Sequence, residues 1–343
     1  MIRGADLLTR EEELAASDEI EIRPVISGGQ RTVAKCKRCG ERARVEVARA
    51  NAAFCNDCFV RYVDGQVQRA VADYEMFSET DRLLVCVSGG KDSLALWDIL
   101  NRMGYDTTGY YISLGTGKEY TEESREMCER FAASRGLKLI VTDLAADEGF
   151  TIEEISKDSR RVPCSACGLA KRYLTNVTAA ENGFDVLVTG HNLDDEAATL
   201  MGNTLHWNTE YIARQRPSLP ASADGFVRKV KPLVRVSERE SAAYCVIKGI
   251  DYVLEECPLV AGNTQLRYKD ALNDLERRSP GTKQQFLFGF LDKAAPLFDA
   301  AERPPLGRCR DCRQPTTGDL CAFCRLRGQV ARKRAKTRAG DDA

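Results

Sequence analysis

Histidine is almost absent from this 343-residue chain, where His191 and His206 are the only two. Any zinc site must therefore be built nearly all from thiolate. No apolar run is long enough to span a bilayer, and no charged-then-apolar leader opens the chain, since Met1–Leu14 is studded with acids. These two absences predict a soluble, cytoplasmic protein without a membrane partner. An excess of one charge is also missing: 50 Lys and Arg stand against 51 Asp and Glu. A near-neutral sum does not speak against nucleic acid when the cations are clustered. The GxxxxGK(S/T) and GxGxxG loops are absent too, which removes the usual NTPase and dinucleotide readings. Apart from two cysteine modules alike only in spacing, there is no internal repeat.

Cysteine, by contrast, is plentiful. Fourteen thiols in a chain without a secretory signal point to metal ligands or redox groups rather than disulfides. Cys36-x2-Cys39, fifteen residues, then Cys55-x2-Cys58 is a four-thiolate zinc pattern, because each CxxC turn presents two sulfurs to one tetrahedral ion. Cys309-x2-Cys312, eight residues, then Cys321-x2-Cys324 repeats it. Both are expected to be structural, with four protein ligands and no open position. Cys164-Ser165-Ala166-Cys167 has no second CxxC nearby, and its candidate partner is Cys257 in Glu255-Glu256-Cys257-Pro258. A dithiol switch, a zinc site and a 4Fe-4S cluster with one open iron all fit three such thiols. Cys86, Cys128 and Cys245 lie in apolar patterns and read as packed core thiols.

Between the modules the pattern alternates. Strands are predicted at Leu83–Val87, Thr108–Leu114, Leu137–Leu144 and Asp185–Thr189. Helices are predicted at Asp64–Phe77, Ser93–Met103, Thr121–Arg135, Gly168–Glu181 and Asp194–Leu205. Arg216–Gly225 reads as an exposed loop and Lys229–Arg235 as an extended segment, before helices at Glu238–Lys248 and Thr264–Arg277. Such alternation predicts an α/β fold, a doubly wound parallel sheet whose ligands lie outside the carboxyl ends of its strands. The expected organisation is an irregular extension over 1–34, a zinc finger over 35–60 and a catalytic domain over 61–300. A second zinc finger over 301–326 and a basic tail over 327–343 follow.

Ser88-Gly89-Gly90-Lys91-Asp92-Ser93 sits between the first of these strands and its helix, where free backbone N–H groups favour an anion. The glycines admit phosphate oxygens close to the main chain, Ser88 and Ser93 add hydroxyls, and Lys91 adds a charge. At the end of a later strand, Thr189-Gly190-His191-Asn192-Leu193-Asp194-Asp195-Glu196 places adjacent carboxylates at a helix start, suited to magnesium or substrate.

SGGKDS is similar to the signature loop of the PP-loop ATP pyrophosphatases, and GHNxDD to their tRNA-thiolating branch. With SGGKDSLALWD, PCSACGLAKRY, TGHNLDDEA, EECP and PTTGDLCAFCR in this order, the chain resembles the TtuA-type tRNA 2-thiouridine synthetases from about Ala34 to Lys336. The resemblance implies an adenine nucleotide alpha hydrolase-like domain that splits ATP between its alpha and beta phosphates, with Asp92 helping to hold magnesium. It implies Cys164, Cys167 and Cys257 as 4Fe-4S ligands, and Lys171 and Asp195 as catalytic residues. ATP contacts are implied from Val87, Ser88, Gly89, Gly90, Lys91, Asp92 and Ser93, from Ile112 at a strand end, and from Lys171 and Gly190. In one respect the chain departs, since Cys58 stands where some relatives use histidine.

The implied activity is adenylation of the C2 oxygen of uridine 54 in the tRNA T-loop and its replacement by sulfur. The implied partners are tRNA, a ubiquitin-like thiocarboxylated sulfur-carrier protein or other sulfide donor, and a second copy in a homodimer. Arg325, Arg327, Arg332, Lys333, Arg334, Lys336 and Arg338 would meet tRNA phosphates, or else form a solvated tail. Competing readings are thiolation of the wobble uridine or of cytidine 32, an amidotransferase-like PP-loop ligase, and a non-catalytic zinc-ribbon RNA-binding adaptor.

Overall fold

The computed structural model describes residues 34–298, apart from 160, 223, 256 and 260–263, together with residues 306–341 and the backbone of three short strands. Those strands, β1 (Ile2–Arg3), β2 (Asp6–Leu7) and β3 (Ile20–Glu21), pair antiparallel in the order β2-β1-β3. The expectation for 1–34 otherwise falls outside the described residues.

The N-terminal module is a hairpin of β4 (Val45–Val47) and β5 (Ala52–Phe54) running into α1 (Asn56–Asp73). The helix starts earlier than predicted because Cys55, the N-cap residue, is also where the hairpin ends. Its apolar face (Phe59, Tyr62, Val63, Val67) joins the same core as the central sheet. Arg49 makes a bidentate pair with Glu240 (2.9 and 2.6 Å) and donates to the Arg235 carbonyl at 2.8 Å.

Next come β6 (Leu83–Val87), α2 (Lys91–Arg102), β7 (Thr107–Ser113), α3 (Lys118–Arg135), β8 (Lys138–Asp143), α4 (Leu144–Glu148) and α5 (Ile152–Ser159). They are followed by α6 (Pro163–Glu181), β9 (Val186–Thr189), α7 (Leu193–Leu205), α8 (Thr209–Ala213), β10 (Ser218–Leu219) and β11 (Arg228–Val230). The sheet order is β10-β11-β9-β6-β7-β8, parallel except for the edge strand β10. Counting the parallel strands by sequence gives the doubly wound order 3-2-1-4-5, with its switch point between β6 and β9.

The alternation of β6 shows why both faces are covered. Leu83, Val85 and Val87 join one cluster with Leu94 and Trp97 of α2, and Leu84 joins another with Ala179 of α6. Gly109 leaves room for Trp97, since a Cβ there would meet the indole at 2.3 Å.

The predicted Arg216–Gly225 loop contains β10, and the predicted extended segment Lys229–Arg235 is strand only to Val230. Pro232 then opens a 3-10 turn over Pro232–Arg235, since proline lacks the ladder N–H. The rest comprises α9 (Glu238–Lys248), α10 (Thr264–Arg278), α11 (Thr282–Gly289), β12 (Gly307–Arg308), β13 (Pro315–Thr316) and α12 (Ala322–Asp341). Within the described residues the basic tail is therefore a continuation of the second module's helix. Cys309, Cys321, Phe323 and Val330 pack with Ile152, Ala166 and Ala170, and Phe323 stacks on Tyr173 at 4.0 Å.

Candidate active site

A cavity of about 520 Å³ opens at the carboxyl ends of β6, β7 and β9. It brings together Val87, Ser88, Gly90, Asp92, Ser93, Ile112, Gly190 and Asp195 with Cys167, Lys171 and Cys257. Gly89, Lys91 and Cys164 stand outside its lining. Gly89 sits at φ +76° with the Ser124 carbonyl 2.8 Å from where a Cβ would be, so only glycine fits this turn. Gly190 is tight for a similar reason, since a Cβ there would stand 3.0 Å from the Ser93 backbone nitrogen. These two glycines let the loops after β6 and β9 close against each other and against α3.

The loop is held by its own hydroxyl. Ser93 Oγ accepts from the Ser88 N–H (3.1 Å) and donates to the Gly90 carbonyl (3.0 Å). Asn192 caps α7 reciprocally with Asp195, and its Nδ2 donates to Asp92 Oδ1 at 3.0 Å. That contact ties the two loops together through a side chain. Burial pushes the Asp92 carboxyl above the usual carboxylate range, against the pull of Lys91 and Asn192, with Asp195 adding like-charge repulsion. A divalent cation between Asp92 and Asp195 would relieve both penalties, so this pair fits magnesium.

Lys91 turns away from the cavity to Glu238 Oε1 (2.7 Å) and Asp92 (3.3 Å). Burial alone would lower the Lys91 ammonium, yet these carboxylates raise it. Lys269 from α10 continues the alternation, pairing with Glu238 Oε2 (3.1 Å) and Asp195 Oδ1 (2.6 Å). The result is a chain Lys91–Glu238–Lys269–Asp195 drawn from four helices. Neither Glu238 nor Lys269 is in any motif, and sequence reasoning had no signal for them. One residue before Asp195 in α7, Asp194 pairs with buried Lys283 and accepts from the Glu238 N–H (2.9 Å), fixing α9 and α11 against the site.

The helix α6 begins at Pro163, earlier than predicted, because proline is favoured at the first helical position. Cys164, Cys167 and Lys171 are thus all on one helix, and Cys167 and Lys171, one turn apart, both face the cavity. Burial raises the Cys167 thiol, and Lys171 opposes it. Cys164 Sγ lies 3.7 Å from the Leu259 carbonyl, which brings it beside the Cys257 segment. Cys86, read from sequence as a core thiol, in fact lines the cavity, while Cys128 and Cys245 are buried as expected.

Among the described residues, two groups bring four metal-ligating atoms within 4.8 Å of one another: Cys36, Cys39, Cys55, Cys58 and Cys309, Cys312, Cys321, Cys324. Their Cys39–Cys55 and Cys312–Cys321 sulfur separations are 3.5 and 3.7 Å. A tetrahedral zinc with Zn–S of ~2.3 Å needs edges of about 3.8 Å, so both quartets fit that ion. Cys164, Cys167 and Cys257 form no such single-ion group.

Of the seven tail cations, Arg327, Lys333 and Arg334 are paired with Glu148 (3.5 Å), Asp158 (2.9 Å) and Glu154 (3.1 Å). These three hold α12 to α4 and α5, and the side chains of Lys336 and Arg338 lie outside the described residues.

A doubly wound sheet with this loop at its switch point defines a PP-loop nucleotide-binding protein. The PP-loop domain family matches residues 62–269, and the family described as the N-terminal LIM domain of the 2-thiouridine synthetase TtuA matches residues 35–60. The tRNA-5-methyluridine(54) 2-sulfurtransferase of Thermus thermophilus is 48% identical over 88% of this chain and 93% of its own length. That of Pyrococcus horikoshii is 41% identical over 86% and 94%. The chain belongs to this 2-sulfurtransferase family. In fold it is also similar to a solved U34-tRNA thiolase, NcsA of Methanococcus maripaludis with its 4Fe-4S cluster, at TM-score 0.74 and 23% identity over 87% of this chain and 96% of that one. Among the described residues, no helix is long and apolar enough to cross a membrane.

Proposed function

We propose that this protein is an ATP-dependent tRNA 2-thiolase acting on the uridine or 5-methyluridine at position 54, in the cytoplasm. The observation that carries this reading is the opening of the PP-loop, Lys171, Cys167 and Cys257 into one cavity. Uracil O2 is a poor leaving group until it attacks the alpha phosphorus of ATP and expels diphosphate. Sulfur then attacks C2, and the C2–O2 bond breaks with AMP leaving.

In this reading the Ser88–Ser93 backbone and hydroxyls orient the triphosphate, with adenine beside Ile112 on β7. Asp92 and Asp195 would hold magnesium, which supplies positive charge against the leaving diphosphate. Lys171 stabilises negative charge that grows on the alpha phosphate. Lys269 and Lys91 fix the carboxylates, so no reorganisation accompanies charge movement. Burial lowers His191, which is thus a neutral imidazole at neutral pH, hydrogen-bonded through Nδ1 to Thr189 Oγ1 at 3.0 Å.

Cys164, Cys167 and Cys257 would hold a 4Fe-4S cluster, which would supply the iron that carries sulfide to the site. The fit rests on Cys167 and Cys257 lining one cavity from two segments, with Cys164 on the helix of Cys167 and its Sγ 3.7 Å from the Leu259 carbonyl. The four-cysteine modules would hold zinc, and the exposed Arg325 and Arg332 would assist tRNA binding. Sulfur supply by a thiocarboxylated ubiquitin-like carrier, or another sulfide donor, and a homodimeric assembly complete the proposal on the family resemblance alone.

The test is mass spectrometry of tRNA nucleosides from a strain lacking the gene. Loss of 2-thiouridine or its 5-methyl form at position 54 is expected. Loss at the wobble uridine or cytidine 32 moves the target, and no change in any thionucleoside sinks the reading.

A further inference from the structure

The cavity is electrostatically lopsided. Behind the PP-loop side the cations lie outside the lining and are matched: Lys91 and Lys269 alternate with Glu238, Asp92 and Asp195. On the β9 and β11 side the lining carries Arg172 from α6 and Lys229 from β11. Neither makes a side-chain hydrogen bond or ion pair with any described residue, whereas the neighbouring Lys231 is paired with Glu196 at 2.6 Å. Lys229 is the middle residue of β11 (Arg228-Lys229-Val230), half-buried between the half-buried Arg228 and the buried Val230. Burial pushes the Lys229 ammonium below its ordinary range, Cys86 partly offsets this, and Lys231 and Arg172 add to it. Lys229 is half-buried beside the exposed Arg172, and an unmatched, partly desolvated ammonium next to a like charge is a standing cost that an incoming anion would remove.

ATP has its own donors elsewhere. Ile112 on β7 lies one strand to one side of β6, and Lys229 on β11 lies two strands to the other. At about 4.8 Å per strand, that is roughly 14 Å from the proposed adenine side to Lys229, with the phosphate loop between. The second substrate is therefore the natural occupant of this end.

Resting on the thiolase reading above, we propose that Arg172 and Lys229 seat a backbone phosphate of the substrate RNA, next to the base presented to the PP-loop. The pair places the strand without reading its sequence. A planar guanidinium and a point-charge ammonium together suit the oxygens of one phosphodiester.

The test compares the full-length protein with Lys229→Met, Arg172→Gln and the charge-keeping Lys229→Arg and Arg172→Lys. Binding of unmodified tRNA is measured across a salt series, binding of ATP at one salt, and the thermal midpoint for each. The neutral variants are expected to bind tRNA several-fold more weakly. Each should lower the slope of log affinity against log salt by about 0.7–0.9, with ATP affinity unchanged. The charge-keeping variants should retain most tRNA binding, and Lys229→Met should melt no lower than the parent.

Loss of ATP affinity with an unchanged tRNA salt slope would overturn the proposal, assigning the pair to the triphosphate. So would no change in either ligand. Thiolation by the parent protein is assayed alongside: if it makes no thionucleoside while the variants lose tRNA contacts as stated, the proposed activity fails and the phosphate seat stands.

Discussion

In the two terminal modules, sulfurs approach to 3.5 and 3.7 Å in groups of four, and half or more of each quartet is buried. In the central cavity, two thiols arrive from α6 and a third, Cys257, from a segment far along the chain whose Leu259 carbonyl meets Cys164, and Cys167 and Cys257 face open space. The same side chain thus serves closed and open sites. A closed site needs only local chain geometry, two CxxC turns and a hairpin, and it completes its own coordination. An open site depends on the tertiary fold to bring distant thiols beside a second reagent. The contrast extends to charge, since Arg49 and Glu240 pair where a module docks, whereas Arg172 and Lys229 stand unmatched in the cavity.

Cysteine substitution breaks this comparison most sharply. Cys257→Ser should lower tRNA thiolation at least a hundredfold, since even outer-shell partners of metal ligands cost about ten- to a hundredfold. The thermal midpoint and a content of two zinc per chain should be kept. Cys321→Ser should do the reverse, losing one zinc and several degrees of midpoint, because that sulfur lies in the core with Phe323 and Leu326. Equal loss of zinc in both variants would erase the distinction.

Next in size is Arg49→Ala. It strands the buried Glu240 carboxylate, so urea denaturation should show a loss of about 3–5 kcal/mol. A loss under ~1 kcal/mol would mean that the N-terminal module is only loosely tied to α9.

A smaller effect is expected at Lys269→Met, which leaves Asp195 in place without its 2.6 Å partner. Steady-state kinetics should show kcat reduced about tenfold, or about 1.4 kcal/mol, and Lys269→Arg should recover most of it. An unchanged kcat would make the ion chain ornamental to catalysis.

The smallest effect carries a sign. Folding lowers Lys229 below its unfolded value, so between those two values the unfolded chain binds more protons and stability rises with pH. Below that window the charged lysine costs the fold its full penalty. Lys229→Met should therefore raise stability at neutral pH and flatten that alkaline rise in pH-dependent melting curves; a drop at neutral pH would contradict it.

What could be read from sequence follows the same division. Leu83–Val87 and Glu238–Lys248 were legible to the residue, because a continuous apolar run and a Ser237–Glu240 capping box are local signals. Both quartets and the paired loops after β6 and β9 were legible for that reason too. The helices α5 and α11 were missed, being short, and so was the early start of α6 at Pro163. Glu238 and Lys269 were invisible as site residues because their meaning is an ion chain between helices, which no spacing encodes. Lys229 was equally hidden, since it stands between Arg228 and Lys231 in a run of cations and valine that does not mark one of them as facing a cavity.

The most direct measurement is a single-turnover reaction of anaerobically reconstituted protein with unmodified tRNA, magnesium, sulfide and alpha-labelled ATP. Nucleosides and nucleotides are quantified together. The account predicts one AMP formed for each 2-thiouridine, mapped to position 54, and neither product from the Cys257→Ser protein. ADP as the product, or AMP released without any thionucleoside, would contradict it.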